Sequence, residues 1–438
     1  MAQLNRLETE SVWRTFVRYL VPSLVGMLLM AVNFVVDGVM VGNRLGPVAL
    51  AGVGIAQPVY TVFLAMSIWI GVGAATLYSQ HMGAKLYEQA QHIFTQALFL
   101  IFGSTLIIGV TALFFREPLA YALGANADTY PYVSRYMHVL LLFGFVFTIE
   151  NALSVFVRND GNPNLAMVSL MTTALVNIAL NYVFLYVFNW GVTGAALSTI
   201  LAAVLGILVL CLHFFTKTNH LRFVRSTFDK RLFVRSVVIG FPSFLSEVGI
   251  SVFTLAHNVT LKYIAGTDGV AAFSVLNYVH SVMLMAFLGL GAAIQPLISY
   301  FHGAQNRARE QQTMKIAIWT AVAAGSLSFL VGLLAARPIV AIFGDFPQDI
   351  MALAVTGVRL FFIAYLFMGV NFVMMTYYQS IGHVGMATWI TAAREIVVML
   401  AFLLILPPLF GINGVWLAIP LSEIVVLATI YAYHRRHF

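Results

Sequence analysis

The sequence predicts an all-α polytopic membrane protein of twelve transmembrane helices, arranged as two parallel six-helix repeats. Three observations predict it. Of 438 residues, 61% are hydrophobic and only 9% charged; apolar stretches of 20 to 28 residues recur along the whole length; and short motifs return 218 to 220 residues later. A soluble core of this size leaves far more polar side chains facing water. Each stretch is long enough to cross a hydrocarbon layer of ~30 Å. The runs are continuous rather than alternating, which excludes a β-barrel.

In chain order the helices are expected at roughly 15–41, 51–79, 92–114, 132–157, 164–188, 192–215, 234–262, 269–300, 314–336, 355–380, 385–408 and 411–434. The first is read as an uncleaved span, because MAQLNRLETESVWRTFVRYL lacks a short apolar core followed by a small-residue cleavage site. It ends at the GNRLG turn. Between the sixth and seventh stands TKTNHLRFVRSTFDKR, the longest polar stretch. It divides the chain into a six-helix lobe at 1–216, a cytoplasmic basic connector at 217–233 and a second six-helix lobe at 234–438.

Placing the N-terminus in the cytoplasm puts sixteen of the 23 Lys/Arg inside, six outside and Arg394 within a span. Lys217, Arg222, Arg225, Lys230, Arg231 and Arg235 of the connector belong to the inner set. That asymmetry orients the protein with both termini cytoplasmic. GVGAAT at 71 returns as GLGAAI at 289, GVTGAALS at 191 as GINGVWLA at 411, and VPS at 21 as FPS at 241. Six crossings per copy is an even number, so both copies enter the bilayer from the same side. The repeats are therefore parallel, about an axis along the membrane normal, with a cavity between two lobes. That is transporter architecture.

The formal charge of +7 is spread over short loops, the pattern of topology rather than of nucleic-acid binding. The single Cys211 excludes an internal disulfide and argues against thiolate metal or redox chemistry. No G-x-x-x-x-G-K-[ST], H-E-x-x-H or G-x-S-x-G occurs, so neither nucleotide-driven transport nor a common hydrolase site is indicated. No organic cofactor is expected. A channel usually assembles its pore from several subunits, whereas this chain builds its own pseudo-symmetric cavity; a monomer is expected. NVT at 258–260 fits a glycosylation pattern but falls inside a span.

VVDGVMVGNRLGPVALAGVGIAQP, RNDGNPNLAM, LVNIALNYVFLYVFNWGVTGAALST and GFPSFLSEVG together resemble the multidrug and toxic compound extrusion (MATE) family, most closely its DinF/MepA-like branch. The likeness runs over nearly the whole chain, with the motifs in the family's order. It implies two six-helix bundles that alternate between outward- and inward-facing states. It also implies export of lipophilic or cationic drugs against inflow of H⁺ or Na⁺, across a bacterial inner or plasma membrane. A flippase of lipid-linked saccharides or other amphiphiles in the same superfamily is the alternative. It should carry several basic residues within its spans, where only Arg394 is found. A major-facilitator transporter shares the helix count, but SQHMGAKLYEQAQ stands where its glycine–acidic–arginine loop belongs.

Asp37 lies 19 residues beyond Arg18, about 28 Å along a helix, in the outer part of the first span. Facing lipid, its charge would cost at least ~2.5 kcal/mol, so it should face the lobe interior. There it can exchange a proton or Na⁺ for substrate; the competing reading is a solvated carboxyl capping the turn. Asn177 and Asn181 sit four residues apart on one face of the fifth helix. The resemblance pairs Asp37 with Asn177 and Thr199, implies a Na⁺ or H⁺ site at Asp37, Asn177, Asn181 and Thr199, and expects an Asp where this chain has Asn181. As a purely structural set, the asparagines would bond between helices. Pro22 removes a helix hydrogen bond, and the resemblance implies a kink that changes with protonation of the carboxylate. Pro242 holds the matching place in the second repeat.

In the second lobe Glu247 matches a recurrent family Glu, for a cation, a cationic substrate or a structural hydrogen bond. His257 stands at the repeat position of Asp37, where it could titrate near neutrality or simply pack. Glu150, Arg394, Glu395 and Glu423 also fall within spans, with Glu150 a candidate for contact with substrate. Arg394 and Glu395, being consecutive, should point to different faces and not pair laterally. Gly38, Gly42 and Gly46, four apart, are expected to allow close helix approach.

Overall fold

The computed structural model describes residues 7–216, 219–225, 228–344 and 346–437. Lys217 and parts of the connector (217–218 and 226–227) lie outside the described residues. Among those described there is no strand. The helices are α1 (Val12–Leu45), α2 (Pro47–Gly83), α3 (Tyr87–Phe114), a short α4 (Arg116–Ala122), α5 (Tyr130–Asn159), α6 (Pro163–Tyr182), α7 (Gly191–Cys211), α8 (Lys230–Gly303), α9 (Arg307–Ala341), α10 (Gln348–Phe361), α11 (Tyr365–Ser380), α12 (Val384–Ala392), α13 (Val398–Phe410) and α14 (Ile412–His437). Single π-helical turns continue α6 at Val183–Val187 and join α12 to α13 at Ala393–Val397.

Eleven of the resulting helical runs are long and apolar enough to cross a membrane. One of them, α8, breaks at Gly266 (φ 59°, ψ −144°) into two spans, which makes twelve. The helices start where local chemistry says they should. Ser11 caps α1 by accepting from the Arg14 amide. Asn162 caps α6 through the Leu165 amide with Pro163 following, and Asp229 accepts from Arg231 and Leu232 to open α8.

The internal repeat is written in the backbone too. Residues with positive φ recur 220 positions apart: Gly46 and Gly266, Lys85 and Gln305, Gly124 and Gly344, Gly191 and Gly411. Each marks a break that a helix cannot carry. Gly46 (φ 86°) ends α1 and lets Pro47 open α2.

The expectation for Gly38, Gly42 and Gly46 is corrected. A Cβ at Gly38 or Gly46 would meet nothing within 4 Å, and at Gly42 only the flexible Leu50 side chain at 3.1 Å. The conformational need of the turn, not packing, holds glycine at 46. Close backbone approach occurs elsewhere: a Cβ at Gly83 would lie 2.1 Å from the Tyr300 carbonyl, and one at Gly303 1.9 Å from that of Gln80.

By packing, the chain forms two compact units, Met1–Phe244 with Ser299–Asn306, and Leu245–Ile298 with Arg307–Phe438. In the first, α2 packs on α5 and α6 on α1 and α7, around a core that includes Phe63, Val133, Tyr136, Phe147, Leu185 and Ile200. The connector lies along α3, where Gln91 donates to the His220 carbonyl (3.2 Å), Val224 N–H to Thr95 Oγ1 (3.2 Å) and Gln96 to the Asp229 carbonyl (2.9 Å). In the second unit, α9 packs on α11, and α13 on α14.

Candidate functional site

The first unit carries a polar column on one helix face. Ser169, Thr173, Asn177 and Asn181 recur every fourth residue of α6, the spacing that stacks side chains along one side, and all four are buried. Asn181 Nδ2 donates to the Asp37 carboxylate and lies 3.4 Å from Asn177 Oδ1. Its Oδ1 accepts from Ser198 Oγ at 2.6 Å. Asn177 in turn donates to Ser198 Oγ (3.2 Å) and Thr199 Oγ1 (3.3 Å) on α7. Asp37, Asn177, Asn181 and Thr199 therefore meet in one network, although Thr199 joins through Asn177 rather than at the carboxylate. Ser198, at its centre, went unread; its signal was its place beside Thr199 in GVTGAALST.

Asp37 is brought there by the C-terminal end of α1. Arg44, two turns further on, donates to the Leu185 carbonyl at 3.2 Å and to Asn189, tying α1 to the π-helical turn that follows Asn181. The freed carbonyl of that turn is what the guanidinium reaches. Pro22 is buried, fifteen residues before Asp37 on the same helix. One turn later, a Cβ at Gly26 would come within 2.9 Å of Leu170 on α6, so the proline sits where α1 lies close against the column-bearing helix. No cationic side chain among the described residues lies within Coulombic reach of Asp37.

Glu150, on α5, reaches the same column two turns away. Thr173 Oγ1 donates to its carboxylate, and a Cβ at Gly206 of α7 would stand 2.0 Å from Glu150 Oε1.

A second cluster went unread at the other end of α5. Asp160 is fully buried and accepts from Tyr78 (2.8 Å), His213 Nε2 (2.7 Å) and the His220 amide (3.0 Å). Burial alone would raise the Asp160 carboxyl, but the hydrogen bonds of His213 and His220 outweigh it and hold the group below its usual value. The visible signals were an aspartate directly after a span in RNDGNPN and a histidine at the end of the sixth span. A depressed folded-state pKa contributes stability that is present above the unfolded value near pH 4 and lost as pH falls through the folded one. Asp160→Asn should therefore destabilise the detergent-solubilised protein by roughly 3 kcal/mol at neutral pH, read as a lower thermal midpoint. The gap from wild type should close below about pH 4.

In the second unit Arg394 Nε bonds Glu423 Oε1 at 3.0 Å and Arg394 Nη2 lies 3.4 Å from Glu395 Oε1. The expectation that these consecutive residues cannot pair is overturned. Both stand in the π-helical turn Ala393–Val397, whose wider winding brings neighbours to nearer faces than an α-helix does. Asn371 donates to Glu423 Oε2 at 2.6 Å, Ser246 to Glu395 Oε1 at 3.2 Å, and the guanidinium carbon lies 3.7 Å from the Phe372 ring centroid. Glu247 is a further carboxyl within Coulombic range of Glu395. A cleft opens here, lined by Asn277, His280, Met368, Arg394, Glu395 and Glu423 among others. His257 does not line this cleft but packs behind it, 4.4 Å between ring centroids from the lining residue Phe253. It is fully buried, stacked on Phe273, with Nδ1 on the Phe253 carbonyl at 2.9 Å. Among the described residues the two π-helical turns thus sit at two of the three polar clusters, beside Asn181 and at Arg394, as such turns often do at functional sites.

With this geometry established, the likenesses to known proteins are specific. The MatE family model matches residues 22–183 and 242–405. The multidrug export protein MepA of Staphylococcus saprophyticus is 26% identical over 436 residues, covering 97% of this chain and 93% of that protein. MepA of Staphylococcus haemolyticus is also 26% identical, over 425 residues, with the same shares covered. Among solved structures, a MATE in the bent conformation superposes with a TM-score of 0.92 at 23% identity, covering 100% of this chain and 97% of that one. A MOP superfamily transporter from Pyrococcus furiosus, whose reversed binding-pocket polarity suggests a different function, gives 0.89 at 23% identity, covering 98% and 97%. At such identity these superpositions establish the fold.

Proposed function

The chain belongs to the MatE family, and from that premise we propose that it is a secondary-active multidrug exporter, exchanging lipophilic or cationic small molecules for an inflowing cation by alternating access. Asp37 is the coupling carboxylate. The observation that carries this reading is a half-buried carboxylate clamped by one amide donor, with no Lys or Arg among the described residues as counter-charge. A desolvated carboxylate without a fixed cation must recruit a mobile one. Ion and drug then favour opposite states, and the gradient drives export through that difference.

The coupling ion in this reading is H⁺. Na⁺, a hard cation, takes oxygen ligands, yet Asn181 turns its N–H toward Asp37 and gives its oxygen to Ser198. Holding Na⁺ at Asp37, Asn177, Asn181 and Thr199 would require inverting that amide and breaking its bond to Ser198. Glu247, Glu150 and Arg394 are then open to roles in substrate binding or conformational balance, and Pro22 to a hinge in α1. The flippase alternative is weakened because Arg394 is committed to Glu423 and Glu395, leaving little positive charge for a pyrophosphate. The protein acts as a monomer in a bacterial plasma (inner) membrane, with both termini cytoplasmic and the first six helices, the basic connector and the last six as its working parts.

Purified protein in liposomes loaded with ethidium tests the reading. Efflux should be driven by an inward pH gradient and not by a Na⁺ gradient at equal pH. Drive by Na⁺ alone would replace H⁺ in the scheme; passive efflux indifferent to both gradients would overturn it.

A further inference from the structure

The polar column of α6 has a carboxyl at each end, and coupling at Asp37 uses only one of them. We propose that Glu150 is a second proton-binding site, so that two protons accompany each exported molecule; this rests on Asp37 being the first. Glu150 is 6% exposed and lies in the middle of the long helix α5. Its carboxylate accepts from Thr173, and the Ser169 hydroxyl one turn away donates to the Gly206 carbonyl at 2.9 Å. Thr173 and Asn181 are eight residues apart on one face, about 12 Å, too far for direct proton transfer. The two carboxyls are therefore separate stations on one scaffold.

Three features point to proton exchange rather than to a static bond. The first is room made for the carboxyl: a Cβ at Gly206 would stand 2.0 Å from Glu150 Oε1 and 2.3 Å from Thr173 Oγ1, so a larger residue on α7 would expel it. The second is the absence of a fixed partner. The helices packed against α5 offer hydroxyls from α6 and a glycine from α7, and among the described residues no charged group of α2, α3, α6 or α7 lies within Coulombic reach. An unpaired buried carboxylate is costly, so the group holds a proton while dry. The third is the kind of neighbour. Hydroxyls donate to a carboxylate and accept from a carboxylic acid by rotating, so the site accommodates both states without rearrangement. A glutamine would satisfy a static bond equally well; only an acid can release a proton. On hydration of the column, the carboxylic O–H gives its proton to water, and Thr173 turns to donate to the anion left behind.

The test uses the full-length protein in liposomes and in detergent. The H⁺-to-ethidium ratio is measured by finding the pH gradient that balances a set dye gradient, with an infrared difference spectrum of the carboxylic acid band as pH is changed. Wild type should give a ratio of two, Glu150→Gln a ratio of one, with one pH-dependent carboxyl band missing. An unchanged ratio, or a Glu150 band that persists at every pH, overturns the second site while leaving Asp37 untouched. Undiminished gradient-driven efflux by Asp37→Asn overturns the coupling reading itself. Should Glu150→Gln not fold, Thr173→Val removes only the hydroxyl and must shift the pH midpoint of the Glu150 band; no shift overturns the proposal.

Discussion

Asp37→Asn is expected to lower the H⁺-to-ethidium ratio from two to one, so that a given pH gradient sustains a smaller dye gradient, while exchange of labelled for unlabelled dye at zero gradient continues. The substitution preserves shape and leaves an amide oxygen for Asn181 to donate to, so the network through Asn177, Ser198 and Thr199 stays assembled. What disappears is the change of charge. A pH difference of one unit offers about 1.4 kcal/mol per proton bound, and a site that binds no proton collects none of it. Because a ligand moves an equilibrium only by its differential affinity for two states, substrate can still carry the protein across, but the gradient biases the direction only through the proton left at Glu150. Loss of both efflux and exchange would instead mean that Asp37 supports the fold or the substrate site. An unchanged ratio would sink the coupling assignment.

How far this was legible depends on the range over which each signal acts. The twelve spans follow from hydropathy, a property of each stretch by itself, and the repeat from motifs whose positive-φ counterparts sit at Gly46 and Gly266 or Gly191 and Gly411. The pair Asn177 and Asn181 shows in the spacing, because a helix face is local. The π-helical turns do not show, since they shift hydrogen-bond register without altering the apolar pattern. That is why Arg394 and Glu395 were expected to diverge and are found 3.4 Å apart. Ser198 and the Gly206 recess around Glu150 were also hidden. Each takes its meaning from side chains of other helices meeting at one point, and no single stretch encodes that meeting. Asp160 is intermediate: the aspartate and histidines stand near span ends, but only the fold brings His213, His220 and Tyr78 onto one carboxylate.

Arg394→Met is expected to destabilise the second unit by about 3 to 5 kcal/mol, the range for removing one partner of a buried ion pair. Arg394 is 4% exposed, with Glu423 and Glu395 also buried, and its guanidinium lies over Phe372. Taking it away strands two carboxylates, with Glu247 adding a third in range of Glu395. The loss should therefore come from uncompensated charge more than from missing contacts. That account makes a second demand. Arg394→Met combined with Glu395→Gln and Glu423→Gln removes the stranded charges and should recover most of the thermal midpoint, because a buried triad replaced by neutral groups of similar size is often neutral in stability. Asn371 can still donate to a glutamine oxygen at 423, where it now holds the carboxylate at 2.6 Å. A triple variant as unstable as the single one would refute the electrostatic explanation and leave packing on Phe372 as the cause. A triple variant that is stable but no longer exports ethidium would place the triad in the transport cycle. One that is stable and exports normally would make the ion cluster a device of folding specificity alone.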